Sequence, residues 1–279
     1  MSQSRRELIN QSIDYILQNI TENLTVKNVA DHFHYSEYYF GRIFKDETGE
    51  TVYAFMKRLK MDQSAIDMKL KYDESITNIG LYYGYSPSNY SSAFKKHHAA
   101  SPAQFRKSAN VGSVVNPFCP ARVDVFEAFG FYNDKIRIDE MEQIRVLYRR
   151  LIGNYSDIKD AWIKMLDDYK SYIHASTWML EKFYDDPSIA SNSGCICDLC
   201  LSADEDCELE NVAVIKGGKF AIYRFEGNIS DIFRAVQGVF SIWLPRSGYE
   251  MSERYGLNIY RKTDFEHNLV VMDLCIPIR

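Results

Sequence analysis

Residues 25–45 read TVKNVADHFHYSEYYFGRIFK, and residues 75–95 read SITNIGLYYGYSPSNYSSAFK. At an offset of 50 residues the two stretches align without a gap. Apolar and aromatic residues meet residues of the same kind, as in the pairs Val29 and Ile79, Phe40 and Tyr90, and Phe44 and Phe94. A fixed period is the sequence signature of a repeated supersecondary unit. The chain therefore predicts two copies of one small unit.

Hydroxyl residues predict where the helices of each copy begin. Three matched pairs are typical of helix N-caps: Thr25 and Ser75, Ser36 and Ser86, and Thr51 and Ser101. Pro87 and Pro102 follow two of these residues, at the first helical position, where a missing N–H costs no hydrogen bond. Each copy is then a short helix, a turn near residue 34 or 84, and a second helix with one apolar face.

A short helix, a turn and a second helix with a polar outer face is the arrangement that places a helix in the DNA major groove. The amphipathic segment 52–71 joins the copies, so one chain can enter two successive grooves. Residues 1–110 carry 14 lysines and arginines against 12 acidic residues, whereas the remainder has a net charge of −7. Contacts with DNA phosphates must therefore depend on where the lysines and arginines lie in the fold, because the net positive charge is small. The alternative is a helical repeat without a DNA role.

Residues 8–107 resemble the DNA-binding domain of AraC/XylS-type transcriptional regulators, most clearly in YSEYYFGRIFKDETGET and in the closing SPAQFR. The resemblance implies base contacts from Tyr38, Tyr39, Arg42, Ser88, Asn89 and Ser92, and phosphate contacts from Lys45, Lys95 and Lys96. Gly41 and Ser92 depart from the family pattern, which often has a polar and a long basic residue there. The alternative for Tyr38 and Tyr39 is that one of them packs against the neighbouring helix.

From residue 123 onward the pattern changes to strands with two interspersed helices, 157–172 and 229–243, which indicates an α+β domain. GNYSDI at 153–158 recurs as GNISDI at 227–232, and DLC at 198–200 recurs at 273–275. This domain therefore consists of two similar halves, and a groove between them is a natural ligand site. The predicted organisation is multidomain: an all-α domain with two helix-turn-helix units at 1–108, a linker at 109–120 and an α+β domain at 121–279.

Residues 121–279 resemble the GyrI-like effector-binding domain in KGGKFAIYRFEGNISDI, WLPRSGYE and VVMDLCIPIR. The resemblance implies a cleft for apolar, often cationic or aromatic, compounds. Matching positions place four aromatic residues near it: Tyr148, Trp162, Trp243 and Tyr260. Core packing is the alternative for each of them.

One departure from this family concerns a buried carboxylate. The family strand near the end usually reads Phe-Glu-Ile-Tyr, whereas this chain has Leu257, Asn258, Ile259 and Tyr260. Asn258 can hydrogen-bond a ligand but cannot neutralise a cation or act as a general base. We hypothesise that Glu181, on the same strand face as Phe183, supplies the missing charge. The alternative is that Glu181 faces solvent.

The remaining features favour a regulator without catalytic activity, cofactor or metal. Cys195, Cys197 and Cys200 cannot all face one way on a strand, which argues against a zinc site. His97 and His98 are adjacent, so we expect them to cap a helix end rather than share a face.

The alternatives to a regulator are a hydrolase of small electrophilic compounds and a module that sequesters a partner protein. We expect a cytoplasmic protein whose partners are double-stranded DNA, a small-molecule effector and RNA polymerase, with no membrane partner; the sequence leaves monomer and dimer open.

Overall fold

A computed structural model of the chain describes residues 5–109, 112–190, 194–205, 207–264 and 266–279. It divides into two compact units, Met1–Ser108 and Ala109–Arg279. The first unit contains helices α1 (Arg5–Gln18), α2 (Val26–His32), α3 (Glu37–Thr48), α4 (Val52–Leu70), α5 (Ile76–Tyr82), α6 (Pro87–His98) and α7 (Pro102–Ala109). Within the described ranges, every helix falls short of the length and apolar character that a membrane span requires.

The predicted helix starts are the observed ones. Thr25 and Ser75 accept hydrogen bonds from the backbone N–H groups of Asn28 and Asn78, at 3.1 and 2.9 Å. Ser86 is at the predicted N-cap of α6, but its side chain makes no capping hydrogen bond. The turns between the paired helices contain His34 and Gly84 with φ of 62° and 82°. This left-handed conformation suits glycine, and it is imposed on a histidine in the first copy.

Helix α4 anchors the second helix-turn-helix copy through buried hydroxyl groups. Tyr83 donates to Asp67 Oδ2 at 2.7 Å, and Tyr90 donates to Ser64 Oγ at 2.9 Å. The equivalent residues of the first copy, Phe33 and Phe40, have no hydroxyl. A buried hydroxyl needs a partner, so Ser64 and Asp67 of α4 are matched to the tyrosines of the second copy.

The second unit contains strands β1 (Ser113–Val115), β2 (Val123–Val125), β3 (Ile136–Met141), β4 (Ile144–Gly153), β5 (Met179–Phe183), β6 (Cys195–Ser202), β7 (Val212–Ile215), β8 (Gly218–Asn228), β9 (Gly256–Asp264) and β10 (Leu269–Pro277). Its helices are α8 (Phe129–Asn133), α9 (Ile158–Asp168) and α10 (Ile232–Gly238). Short 3₁₀ turns precede α9 and α10, and the π-helical turn Val239–Trp243 follows α10. Strands β1 and β2 form a small sheet of their own.

The eight remaining strands form one antiparallel sheet in the order β3-β8-β10-β9-β5-β6-β4-β7. The order is symmetric about the β5–β9 pair, with β4, β5 and β6 of one half matching β8, β9 and β10 of the other. The edge strands are exchanged, because β3 pairs with β8 while β7 pairs with β4. The connections that follow β3 and β7 touch at Gly217, where a Cβ atom would lie 2.6 Å from the Met141 carbonyl oxygen. The two halves predicted from the repeat are therefore interlocked.

Part of the predicted linker 109–120 is ordered structure of the second unit. Strand β1 pairs with β2, and the Asn116 side chain donates to Asp124 Oδ2 at 2.8 Å. The small polar residues of the linker did not predict a strand, because the pairing joins residues about ten positions apart in the chain. Residues 110 and 111 of the predicted linker lie outside the described residues.

Equivalent strands of the two halves carry equivalent ion pairs. Arg150 on β4 holds Asp198 on β6 through two hydrogen bonds of 2.7 and 2.8 Å. Arg224 on β8 and Arg261 on β9 hold Asp273 on β10. Burial favours the neutral acid, but the two guanidinium groups lower the pKa of Asp273 below its ordinary value. Both aspartates of the repeated DLC motif are therefore charge-neutralised within the sheet.

We expect Gly80→Ala to destabilise the protein by about 1–3 kcal/mol, because it overpacks the contact between α5 and α6. The new Cβ would lie 2.8 Å from Tyr90 Cγ. Tyr90 cannot retreat without losing its hydrogen bond to Ser64. The equivalent residue of the first copy is Ala30, so sequence alignment alone would suggest that alanine is tolerated. Urea unfolding followed by circular dichroism measures the effect.

Gly41→Ala is the matched control, because a Cβ there would meet no atom within 4 Å. Gly41 lies inside α3, so alanine should stabilise the helix by up to about 1 kcal/mol. Equal free energies of unfolding for the two variants would contradict the proposed packing at Tyr90.

Candidate functional site

Helix α3 presents the predicted base-reading residues of the first copy on its outer face. Phe40, Ile43 and Phe44 are buried on the inner face. Tyr38 is 83% exposed, and Arg42 and Lys45 are exposed as well. Gly41 lies among them and leaves open space. The outer face of α3 can therefore approach a groove closely.

Tyr38 and Tyr39 differ in their surroundings. Tyr39 is half-buried and stacks on Tyr35, with ring centroids 5.5 Å apart. The Arg42 guanidinium lies 5.5 Å from the centroid of the Tyr39 ring. Packing is therefore part of the role of Tyr39, which orients Arg42, while Tyr38 points away from the unit.

Helix α6 presents a smaller and more polar face. Tyr90 and Phe94 are buried, whereas Ser88, Asn89, Ser92, Lys95 and Lys96 are all exposed. Asn89 is the only one of these five whose side chain ends in an amide, with two N–H donors and a carbonyl acceptor. This combination suits an adenine edge. Both copies therefore offer basic side chains to a partner, but the first adds an aromatic residue and the second adds hydroxyl and amide groups.

His97 and His98 lie at the end of α6, as expected, and both rings also approach one carboxylate of α4. His97 Nε2 lies 2.7 Å from Asp62 Oδ1, and His98 Nε2 lies 4.0 Å from the same oxygen. Both side chains are in the last turn of α6 and reach α4. Adjacent residues diverge on a helix surface, but a carboxylate that lies between them can still meet both rings.

In the second unit, the two halves meet at a cluster of four polar and aromatic side chains: Trp162, Glu181, Asn258 and Tyr260. We call it the Glu181 cluster. Glu181 on β5 and Asn258 on β9 are directly opposite in the antiparallel register. Asn258 Nδ2 donates to Glu181 Oε2 at 3.3 Å, and Trp162 Nε1 on α9 donates to Oε1 at 2.9 Å. The carboxylate therefore accepts hydrogen bonds from both halves.

The Glu181 side chain does not face solvent. It is 8% exposed, and in the part of the chain that the structure describes no lysine or arginine forms an ion pair with it. By contrast, the buried carboxylates of Asp198 and Asp273 are each held by arginine. A buried carboxylate without a cation is costly and marks a candidate ligand site.

Tyr260 and Asn258 give the cluster further polar character. Burial and then the negative charge of Glu181 raise the pKa of the Tyr260 hydroxyl well above its ordinary value, so it stays protonated. Asn258 Oδ1 is buried without a hydrogen-bond partner. The cluster thus contains a carboxylate and an amide oxygen that can both accept hydrogen bonds from a ligand.

Aromatic rings border the cluster. Trp162 and Tyr260 meet edge to face with centroids 6.5 Å apart. Phe183 meets Phe240 of the π-helical turn in the same way at 6.1 Å. Opposite Phe183 in the sheet is Gly256, where a Cβ would lie 2.4 Å from the ring, so the glycine makes room for Phe183.

Two of the predicted effector residues lie elsewhere. Tyr148 is paired with Cys200, and Cys200 with Leu180, so strand alternation puts Tyr148 on the opposite face of the sheet from Glu181. Trp243 is buried, donates to Asn133 of α8 at 3.3 Å and stacks on Tyr249. Family positions predicted both near the cleft; in the structure neither of them joins the Glu181 cluster.

Sequence reasoning missed two contributors. Phe240 had no signal, because the π-helical turn that directs it is not visible in the residue pattern. Asp62 is 35 residues from His97, and only the packing of α4 against α6 brings them together.

Two family matches agree with these units. The helix-turn-helix domain family matches residues 29–108, and the GyrI-like small molecule binding domain family matches residues 134–279, which is just over half of the chain.

Individual relatives match the first unit. The right origin-binding protein of Escherichia coli K12 is 30% identical over 102 residues, which are 36% of this chain and 35% of that protein. The probable transcription factor PqrA of Proteus vulgaris is 32% identical over 91 residues, covering 32% of this chain and 74% of that protein. The chain thus spans about a third of the length of the first relative.

Among solved structures, the C-terminal domain of the response regulator AraT from Geobacillus stearothermophilus is 26% identical. The match covers 39% of this chain and 88% of that domain, with a TM-score of 0.35. Each family match lies within one structural unit, and we conclude that this chain belongs to the GyrI-like family, with an AraC-type helix-turn-helix domain preceding its GyrI-like small-molecule-binding domain.

Proposed function

We propose that this protein is a transcriptional regulator of the cytoplasm that reads DNA with α3 and α6 and senses a small molecule at the Glu181 cluster. One observation carries the proposal: the same chain has two exposed second helices of helix-turn-helix units and a buried carboxylate without an arginine or lysine partner. The first feature suits a nucleic acid and the second a ligand.

The DNA-reading mode follows from the difference between the two copies. Arg42, oriented by Tyr39, can contact a guanine edge, and Asn89 can contact an adenine edge. Lys45, Lys95 and Lys96 are exposed and suit phosphate oxygens. Because α6 presents mainly short hydroxyl side chains, we expect the first copy to discriminate more strongly between bases than the second.

The effector class follows from the chemistry of the Glu181 cluster. Its carboxylate favours a cation, and the free Oδ1 of Asn258 favours a ligand that donates an N–H. Trp162, Tyr260 and Phe183 supply aromatic surface on which a planar cation can lie. We therefore propose an aromatic cation with N–H donors, such as an amidinium or protonated amine. Asn258 occupies the place of a general base, so binding without hydrolysis is the favoured outcome.

We expect selection from random duplexes to enrich a site with two short elements about one helical turn apart. Arg42→Ala should weaken binding to that site by about 1–3 kcal/mol and relax the preference at one base pair. Lys45→Ala should weaken all sequences alike and lower the salt dependence of binding. Fluorescence anisotropy at two salt concentrations measures both effects.

Lys164→Ala is the control for loss of positive charge, because Lys164 is exposed on α9 in the second unit. Enrichment of no sequence, with binding lost at moderate salt for every variant alike, would rule out the DNA-reading role.

We expect the protein to bind para-aminobenzamidine, an aromatic amidinium, more tightly than its neutral analogue para-aminobenzamide. Glu181→Gln should weaken amidinium binding about tenfold or more, because it removes the only charge of the cluster while keeping its shape. Affinity for the neutral amide should change little. Isothermal titration calorimetry with the full chain measures all four affinities.

Glu140→Gln removes an exposed carboxylate of β3 and serves as the matched control, with unchanged affinities expected. If Glu181→Gln binds the amidinium as tightly as the unaltered chain, Glu181 is not the cation-binding group.

A further inference from the structure

Three potential metal ligands converge in the first unit, away from the exposed faces of α3 and α6. They are Asp62 on α4 and His97 and His98 in the last turn of α6. One ligand atom from each side chain lies within 4.8 Å of the others. Asp62 Oδ1 is 2.7 Å from His97 Nε2 and 4.0 Å from His98 Nε2. We propose that these residues form a binding site for a divalent transition metal ion such as Zn²⁺, which joins α4 to α6.

The geometry needs only small adjustments to hold such an ion. Tetrahedral zinc with ligand bonds of about 2.0–2.1 Å separates its ligand atoms by about 3.3 Å. The observed separations, from 2.7 to 4.8 Å, lie on both sides of this value. Two imidazoles and one carboxylate are ligands that zinc and its neighbours in the first transition series accept. Water completes the coordination.

The burial and incomplete hydrogen bonding of the Asp62 carboxylate are a second observation that points to a ligand. Its side chain is 2% exposed, and its Oδ2 is buried without a hydrogen-bond partner. The nearest cation is Arg58, whose Nη1 is 3.6 Å from Oδ2, while its Nε and Nη2 donate to Glu50. The carboxylate of Asp62 is thus not saturated by hydrogen bonds, and a metal ion bound to it would be a further partner.

The histidines provide both the ligand atoms and the entry path. The His98 side chain is 7% exposed and lies against α4, with Nε2 3.3 Å from the Met61 carbonyl oxygen. A neutral imidazole has the lone pair that a metal needs. The His97 side chain is 25% exposed and opens the site to solvent. Metal binding would replace the contacts of His97 with Asp62 and of His98 with the Met61 carbonyl oxygen.

A metal ion at this site would fasten the end of the second recognition helix to the helix that joins the two copies. It would bind only the folded unit, since the unfolded chain does not hold residues 62 and 97 together. Binding therefore raises stability through mass action. This inference concerns the first unit alone and does not depend on the proposed DNA or effector binding.

The test uses the full chain and Co²⁺ as a spectroscopic probe, followed by displacement with Zn²⁺. We expect one equivalent of Co²⁺ to produce visible d–d bands without a thiolate charge-transfer band. His97→Gln should weaken Co²⁺ binding at least tenfold. Because His97 is partly exposed, this variant should fold, which circular dichroism checks. Zn²⁺ should raise the melting temperature of the unaltered chain and leave that of His97→Gln nearly unchanged.

His267→Gln is the matched control, because exposed His267 contacts Asp264 at 2.9 Å in the second unit and no third metal ligand of the described chain joins that pair. Its Co²⁺ spectrum and Zn²⁺-dependent melting should equal those of the unaltered chain. Absence of saturable d–d bands, equal Co²⁺ affinity in His97→Gln, or a thiolate band that shows cysteine ligation would each overturn the proposal.

Discussion

The antiparallel pairing of β5 with β9 is the interaction on which the second unit depends. It joins the two halves into one sheet, and it sets Glu181 of one half opposite Asn258 of the other. A register shift by one residue would turn both side chains to the opposite face. The exchanged edge strands β3 and β7 restrain that register, because each leaves its own half to pair with the other.

The buried carboxylates of this sheet are of two kinds, with and without an arginine partner. Asp198 and Asp273 occupy equivalent strands, and arginine neutralises each of them, which suits a structural role. Glu181 lies on the face that α9 covers and, among the described residues, accepts hydrogen bonds from neutral donors. The repeat duplicated the structural ion pairs but not the carboxylate of the cluster, where Asn258 stands in the second half. That asymmetry makes one half of the interface acidic and the other amide-bearing.

In the first unit the two copies have a common architecture but different supports. The tyrosine hydroxyls of the second copy are matched to polar groups of α4, and its terminal histidines are matched to Asp62. The first copy is packed with phenylalanine and has no such polar support at Phe33 and Phe40. Helix α6 is thus held by directional contacts with α4, which the first copy lacks at the equivalent positions.

The sequence by itself determined the paired helices of the first unit and the internal repetition of both units. Residues close in the chain decide local capping, periodicity and alternation. These patterns predicted the N-caps Thr25 and Ser75, the two copies, the two halves and the exposed faces of α3 and α6. Tertiary structure alone decided what those elements contact. Register and strand pairing between distant residues decide three further features. They are the burial of Glu181 between Trp162 and Asn258, the strand within the predicted linker, and the placement of Tyr148 and Trp243 outside the Glu181 cluster. Asp62 meets His97 for the same reason, since packing of one helix on another joins residues that no local pattern connects.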